Sequence, residues 1–253
     1  MRNPAVITRR QFVATGVTAL VAGRACMRST PAELDVAYVN GRIWTGVSGA
    51  PPQTAFGTIG DRIAAVGDDA RIRALAGRKT QVIDLGGAFV MPGFVDNHTH
   101  FLRASMQPYH AIDDGRWAVT PLGPDRLAGS WAFRSLLDAR VRVTFGSDWP
   151  VAPIGPLQGV EAAVLRRTID GANPDGWVPA QRIRVEEALT AYTVNNAYAG
   201  FQDDRLGRIE PGFLADVVVL DTDLLTTPAD RISHAKVLRT IVNGASRFVD
   251  SPA

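Results

Sequence analysis

Two histidines one residue apart, His98 and His100, close an apolar run from Val90 to Asp96 in this chain of 253 residues. In a strand, side chains at i and i+2 face the same way, so both imidazoles would converge at one strand end. Neutral imidazole is a preferred zinc ligand, and two from one strand make a rigid half-site. A bare His-x-His is also a common solvated turn, but the preceding Pro92-Gly93-Phe94-Val95-Asp96 makes the ligand reading more specific. A carboxylate of similar interest, Asp148, follows a predicted strand at Val141–Gly146. A carboxylate can complete a nitrogen–oxygen zinc site, and zinc lowers the pKa of its water to about 7. A carboxylate within hydrogen-bond reach can also take that proton and pass it to a leaving amine. Standing alone, Gly146-Ser147-Asp148 reads as a turn or helix cap; with His-x-His upstream, the ligand role comes ahead. The stock of other reactive groups is small. Cys26 is the single cysteine, which excludes an intramolecular disulfide and a cysteine zinc cluster, and Lys79 and Lys236 are the only lysines.

The elements that must position these residues fall into three groups. Near the start, Asp35–Trp44 alternates and turns at Asn40-Gly41, the signal of a hairpin. Strands are predicted near Phe56–Gly60 and Ile63–Val66, joined through Gly60-Asp61, and at Gln81–Leu85, with a short helix over Asp68–Ala76. Near the end, Gly212–Asp221 reads as a turn and a strand, and Val237–Asn243 with Ser246–Val249 as a final pair around Asn243-Gly244. Between these groups, Pro124–Ala139, Val160–Ile169 and Val185–Tyr198 carry helical apolar spacing. Pro124 and the pair Glu186-Glu187 suit first helical turns.

Four segments in this order resemble the amidohydrolase superfamily, in the branch called amidohydrolase 3. They are Val82–His100, Met106–Asp114, Phe145–Val151 and Leu206–Asp221. The resemblance implies an α/β fold: a composite β-sandwich from both chain ends, residues 31–90 and 206–253, plus a (β/α)8 metal-dependent-hydrolase barrel over residues 91–205. It implies a divalent metal, usually zinc, at the carboxyl end of the barrel, where such sites lie. It makes His98 and His100 metal ligands from the first barrel strand and Asp148 the last-strand aspartate that touches the metal and takes the proton. His110 resembles the sixth-strand histidine that binds a second metal or the substrate; an exposed loop histidine is the competing reading. Asp113 and Asp114 read as solvated loop acids, and His234, Thr193 and Asn196 as structural. Trp149 and Trp177 suit either a substrate mouth or packing.

The barrel is incomplete in length. Met91 to Arg205 holds 115 residues, whereas an intact barrel takes about 200 or more. The family's fourth-strand lysine and fifth-strand histidine have no counterpart, so a large internal deletion is expected near Leu102–Ala104. Open barrel edges would follow, which a second copy of the chain could cover. Two functions compete: a hydrolase of carbon–nitrogen bonds in a small amide or N-acyl substrate, and a non-catalytic remnant with a surviving sandwich. A two-histidine, one-carboxylate iron site from His98, His100 and Asp148 ranks last.

Charge separates the first residues from the rest. The formal net charge is +2, yet Arg2, Arg9, Arg10, Arg24 and Arg28 lie in the first thirty residues, which hold no Asp or Glu; the remainder is therefore −3. Nothing in this mildly acidic body suggests a phosphate-backbone binder, so no nucleic-acid partner is expected. Thr8-Arg9-Arg10-Gln11-Phe12 and the mild apolar run Val13–Gly23 resemble a twin-arginine export signal over residues 1–30, which places the protein in the periplasm. That run is too short for a membrane span of ~20 residues. Gly23-Arg24-Ala25-Cys26 resembles a lipoprotein box poorly, so anchoring at Cys26 is a lesser alternative.

Overall fold

A computed structural model describes residues 33–96 and 105–250. The fold is mixed α/β. The first group of strands is β1 (Val36–Val39), β2 (Arg42–Ile43), β3 (Ala55–Ile59), β4 (Arg62–Gly67), β5 (Gln81–Asp84) and β6 (Phe89–Pro92). A short parallel pair follows, β7 (Ser105–Met106) and β8 (Thr144–Phe145), and then β9 (Val217–Leu220), β10 (Val237–Val242) and β11 (Ala245–Val249). One sheet has the order β4-β3-β1-β5 and a second β11-β10-β9-β6-β2. The second therefore joins strands from the two halves of the chain, through the antiparallel register Phe89↔Leu220 to Pro92↔Val217.

The turn at Asn40-Gly41 does not close a hairpin. Asn40 takes φ +58°, but the chain kinks there without reversing. It runs on antiparallel to the same neighbour, from Val36↔Thr58 to the bridge Ile43↔Gln53. β3 pairs with β1 antiparallel and β5 pairs with it parallel, so both flanks of β1 are filled. β2 instead joins the other sheet beside β6. The expected pairs through Gly60-Asp61 and Asn243-Gly244 do form, as β3–β4 and β10–β11. Gly244, at φ +74°, is required: a Cβ there would lie 2.1 Å from the Gly60 carbonyl oxygen, where the two hairpin turns meet.

Period-2 patterning explains the layers. Val90, Val217, Val219 and Ile241 of the second sheet pack with Tyr38, Phe56 and Ile63 of the first, and Tyr38 stacks on Phe56 at 4.5 Å between ring centroids. The alternate residues Phe89, Met91, Val218 and Leu220 face a different cluster with Phe133, Phe145, Leu189 and Tyr192. The far face of the first sheet buries Ala37, Val39 and Ala55 with Ile72, on helix α1 (Asp69–Ala74). The Asp68 carboxylate caps α1 by accepting from the Arg71 N–H.

The helices of the middle are broken or shifted relative to their periodicity. They are α2 (Pro108–Asp113), α3 (Val119–Leu122), α4 (Phe133–Asp138), α5 (Pro156–Leu165), α6 (Val185–Tyr192) and α7 (Val194–Ala199). The expected helix at Pro124–Ala139 is a 3-10 segment followed by α4, interrupted where Trp131 takes φ +46°. α5 stops before Arg166, at φ +55°, and Thr193 separates α6 from α7. Gly159 lets α5 approach α6, since a Cβ there would sit 2.0 Å from the Tyr192 hydroxyl. Among the described residues, no helix is long and apolar enough to cross a membrane.

Candidate active site

The short pair β7–β8 positions the site. Its register is Ser105↔Thr144 and Met106↔Phe145, and the Gly146 N–H extends it by donating to the Met106 carbonyl at 3.1 Å. Both strands run the same way, so the residues just past their carboxyl ends emerge side by side. After β8 come Gly146, Ser147 and Asp148. After β7 the chain enters α2 at Pro108, whose fixed φ and missing N–H suit a first helical position.

His110 lies in α2, and its Nε2 stands 3.0 Å from Asp148 Oδ2. Their side chains are 17% and 25% exposed, so the contact is sheltered and still reachable from solvent. The other ring nitrogen, Nδ1, is 3.7 Å from Asp114 Oδ2. His110 thus departs from its expected place: it is a helical residue rather than a strand residue. The strand before it also pairs directly with the strand before Asp148, whereas the sixth and last strands of an eight-stranded barrel have another between them.

Asp148 itself takes φ +62°, a left-handed conformation that L residues rarely adopt. The turn around it is tied on both sides. The Val151 and Ala152 N–H groups donate to its carbonyl at 2.8 and 3.2 Å, and the Trp149 N–H donates to Ser147 Oγ at 3.1 Å. The Ser147 N–H and Oγ–H both donate to the Asp96 carboxylate, at 3.0 and 2.5 Å. Asp96 is therefore part of the constellation, as is Asp114, and neither was expected there. Asp96 carried a signal in its place two residues before His98; Asp114 carried only its four-residue offset from His110.

The other candidates divide clearly. His98 and His100 lie outside the described residues. Asp113 pairs with Arg116, and His234 is exposed at the end of a 3-10 segment between β9 and β10. Thr193 bonds back to the Leu189 carbonyl at 2.8 Å. Asn196 does more than pack: its amide donates to the carbonyls of both Val95 and Phe145, joining the two segments that lead to Asp96 and Asp148. Trp177 is buried against Trp131. Trp149 is 60% exposed and lines a cavity of about 810 Å³ with Phe94, Val151, Ile154, Leu157 and Val237. Burial pushes the Tyr192 hydroxyl pKa up, and the Asp96 charge adds to it. Among the described residues, no group of three or more His, Cys, Asp or Glu side chains could hold a metal ion.

A family model, Amidohydro_3, described as "Amidohydrolase family", matches residues 102–248, which include both members of the His110–Asp148 pair. The chain belongs to the amidohydrolase family. It is 41% identical over 146 residues to the protein LONG AFTER FAR-RED 3 of Arabidopsis thaliana, a match that covers 57% of this chain and 24% of that protein. It is 37% identical over 115 residues to the N-substituted formamide deformylase of Arthrobacter pascens, covering 46% and 21%. The chain thus spans about a quarter of the length of these relatives. Its fold is similar to that of an adenosine deaminase from Xanthomonas campestris with bound zinc. That match has a TM-score of 0.58 and 13% identity, and covers 87% of this chain and 94% of that one.

Proposed function

We propose that this amidohydrolase is an exported, metal-dependent hydrolase of carbon–nitrogen bonds in small amide or N-acyl compounds. The observation that carries the reading is the His110–Asp148 contact just past the carboxyl ends of two adjacent parallel strands. The donor chemistry is compatible with a metal: Asp148 offers an oxygen ligand, and His98 and His100 would supply the nitrogen ligands in this reading. A bound divalent cation supplies Lewis acidity and a more acidic water. The chain's own residues do the proton work. Asp148 accepts a proton from the attacking water and hands it to the departing nitrogen, while His110, held near Asp114, orients the Asp148 carboxylate from the Oδ2 side.

In this proposal residues 31–90 and 206–253 form a composite β-sandwich and residues 91–205 an incomplete barrel. The shared cluster of Tyr38, Phe56, Val217 and Val219 supports the first part. Two-residue β7 and β8 support the second. Export rests on the twin-arginine pattern of residues 1–30, with Cys26 the alternative anchor, and both lie outside the described residues. The partners are the small-molecule substrate and a second copy across the open barrel edges.

A second reading has its own support. The 115 residues from Met91 to Arg205 fall well short of a barrel of about 200 residues, which favours a non-catalytic remnant. The deciding experiment purifies the chain, measures metal by plasma emission after dialysis, and assays release of amine from N-formyl and N-acyl amines. One equivalent of zinc with turnover abolished by His98→Ala supports the hydrolase. A metal-free chain without turnover that still melts cooperatively supports the remnant.

A further inference from the structure

We propose that Asp96 is a positioning residue, whose carboxylate grips the turn at Ser147 and so fixes the direction in which Asp148 meets His110. The proposal rests on the reading of Asp148 as the proton-handling carboxylate. Its starting point is backbone conformation. A non-glycine residue at φ +62° persists only where its surroundings hold it there. On its carboxyl side, the Val151 and Ala152 N–H groups close a turn onto the Asp148 carbonyl. On its amino side the holding group comes from a different part of the chain.

Ser147 is the hub. It is buried, its N–H and Oγ–H both donate to Asp96, and its Oγ accepts from the Trp149 N–H. The residues before and after Asp148 are thus tied to Asp96, one directly and one through the Ser147 hydroxyl. Hydrogen bonds that end on a carboxylate are about twice as strong as neutral ones. Asp96 is itself anchored, because the adjacent Val95 N–H donates to the Tyr192 carbonyl at 2.9 Å. The Asn196 amide completes the frame by bridging the Val95 and Phe145 carbonyls. With both segments held at a fixed separation, the Asp96–Ser147 bonds set the rotation of the turn rather than merely its distance.

The test reads the His110 ring directly, at one fixed pH, by long-range hydrogen–nitrogen correlation of the histidine side chains. The His110 signals are identified by their loss in His110→Gln, and Asp148→Ala gives the shifts of a His110 ring that has lost its partner. Asp96→Ala is expected to move the His110 ring nitrogens most of the way to the Asp148→Ala values. Ser147→Ala should move them less, because its N–H still reaches Asp96. Asp96→Asn should restore near-original shifts, since a carboxamide can accept from the Ser147 N–H and donate to its Oγ. A lower melting temperature in Asp96→Ala with His110 shifts unchanged would overturn the proposal, as would Asp148→Ala leaving His110 unmoved. If Asp96→Ala does not fold, Ser147→Ala decides: moved shifts support the proposal and unmoved ones sink it. The measurement needs neither metal nor turnover, so an inactive chain would refute the hydrolase reading and leave this test intact.

Discussion

The two sheets and the segment that carries His110 and Asp148 are held together by different means. In the sheets, backbone ladders fix position, and the paired strands β6 and β9 bury both faces, each with four buried residues in a row. Around the site, the ladder among the described residues is two residues long on each strand, and single side chains do the fixing. Asn196 holds two carbonyls and Asp96 holds a turn. Arg166, fully buried, donates to the carbonyls of Trp177, Trp131 and Ser130 at 2.8, 3.1 and 3.1 Å. Many weak contacts share the load in the first region, whereas in the second each side chain carries a distinct part of the geometry.

Four substitutions test that difference. Asp148→Asn keeps the size of the side chain and tolerates the left-handed backbone, but loses the proton acceptor. In the hydrolase reading, kcat/KM on an N-acyl amine should fall by about 10²–10⁴-fold with little change in melting temperature. A stability loss instead of a rate loss would show Asp148 to be a turn residue. Phe56→Ala, in the core between the sheets, should cost about 3–5 kcal/mol in a urea melt while the His110 ring shifts stay in place. A displaced His110 signal would erase the distinction between the regions.

Arg166→Met is expected to cost about 1–3 kcal/mol, since it strands buried carbonyls. Burial pushes the Arg166 pKa down to about 10, so at neutral pH the guanidinium remains charged with carbonyls in place of a carboxylate. Faster amide exchange confined to the Ser130–Trp131 and Trp177 loops would locate the loss; uniform exchange across the sheets would contradict it. The smallest effect is Glu187→Gln. Partial burial pushes the Glu187 carboxyl up, but hydrogen bonds from Arg134 and the Arg184 N–H outweigh it and hold the pKa below its ordinary 4.5. A depressed carboxyl contributes stability above pH 4.5 that is lost as pH falls through the folded value. The variant should therefore be about 1 kcal/mol less stable at pH 7, with the gap closing in acid; a gap independent of pH would assign the loss to packing.

The sheets were the more legible region, for the same physical reason. Runs such as Val217–Leu220, turn pairs such as Gly60-Asp61 and the cap at Asp68 act within a few residues, so they are visible in order along the chain. Asn40-Gly41 announced a reversal, and the structure has only a kink there, at φ +58°. What it could not announce was that both flanks of β1 are taken, which sends β2 to the other sheet. The same gap separates the helical apolar spacing of Pro124–Ala139 from the broken segment that forms, because the break at Trp131 answers to Arg166, thirty-five residues away.

The sequence by itself determined which groups could do chemistry: the stock of histidines, Asp148 in its Gly-Ser-Asp turn, and the family. Those are matters of residue type, local pattern and count. Tertiary structure alone decided that His110 faces Asp148 from a helix, that Asp114 stands behind it, and that Asp96 reaches across to Ser147. Each of these depends on where a parallel pairing of two-residue strands places the chain, and the partners stand thirty-eight and fifty-one residues apart along it for the pairs His110–Asp148 and Asp96–Ser147. A hydrogen bond is specified by direction and distance in space, to within a few tenths of an ångström, and no local pattern along a chain encodes that.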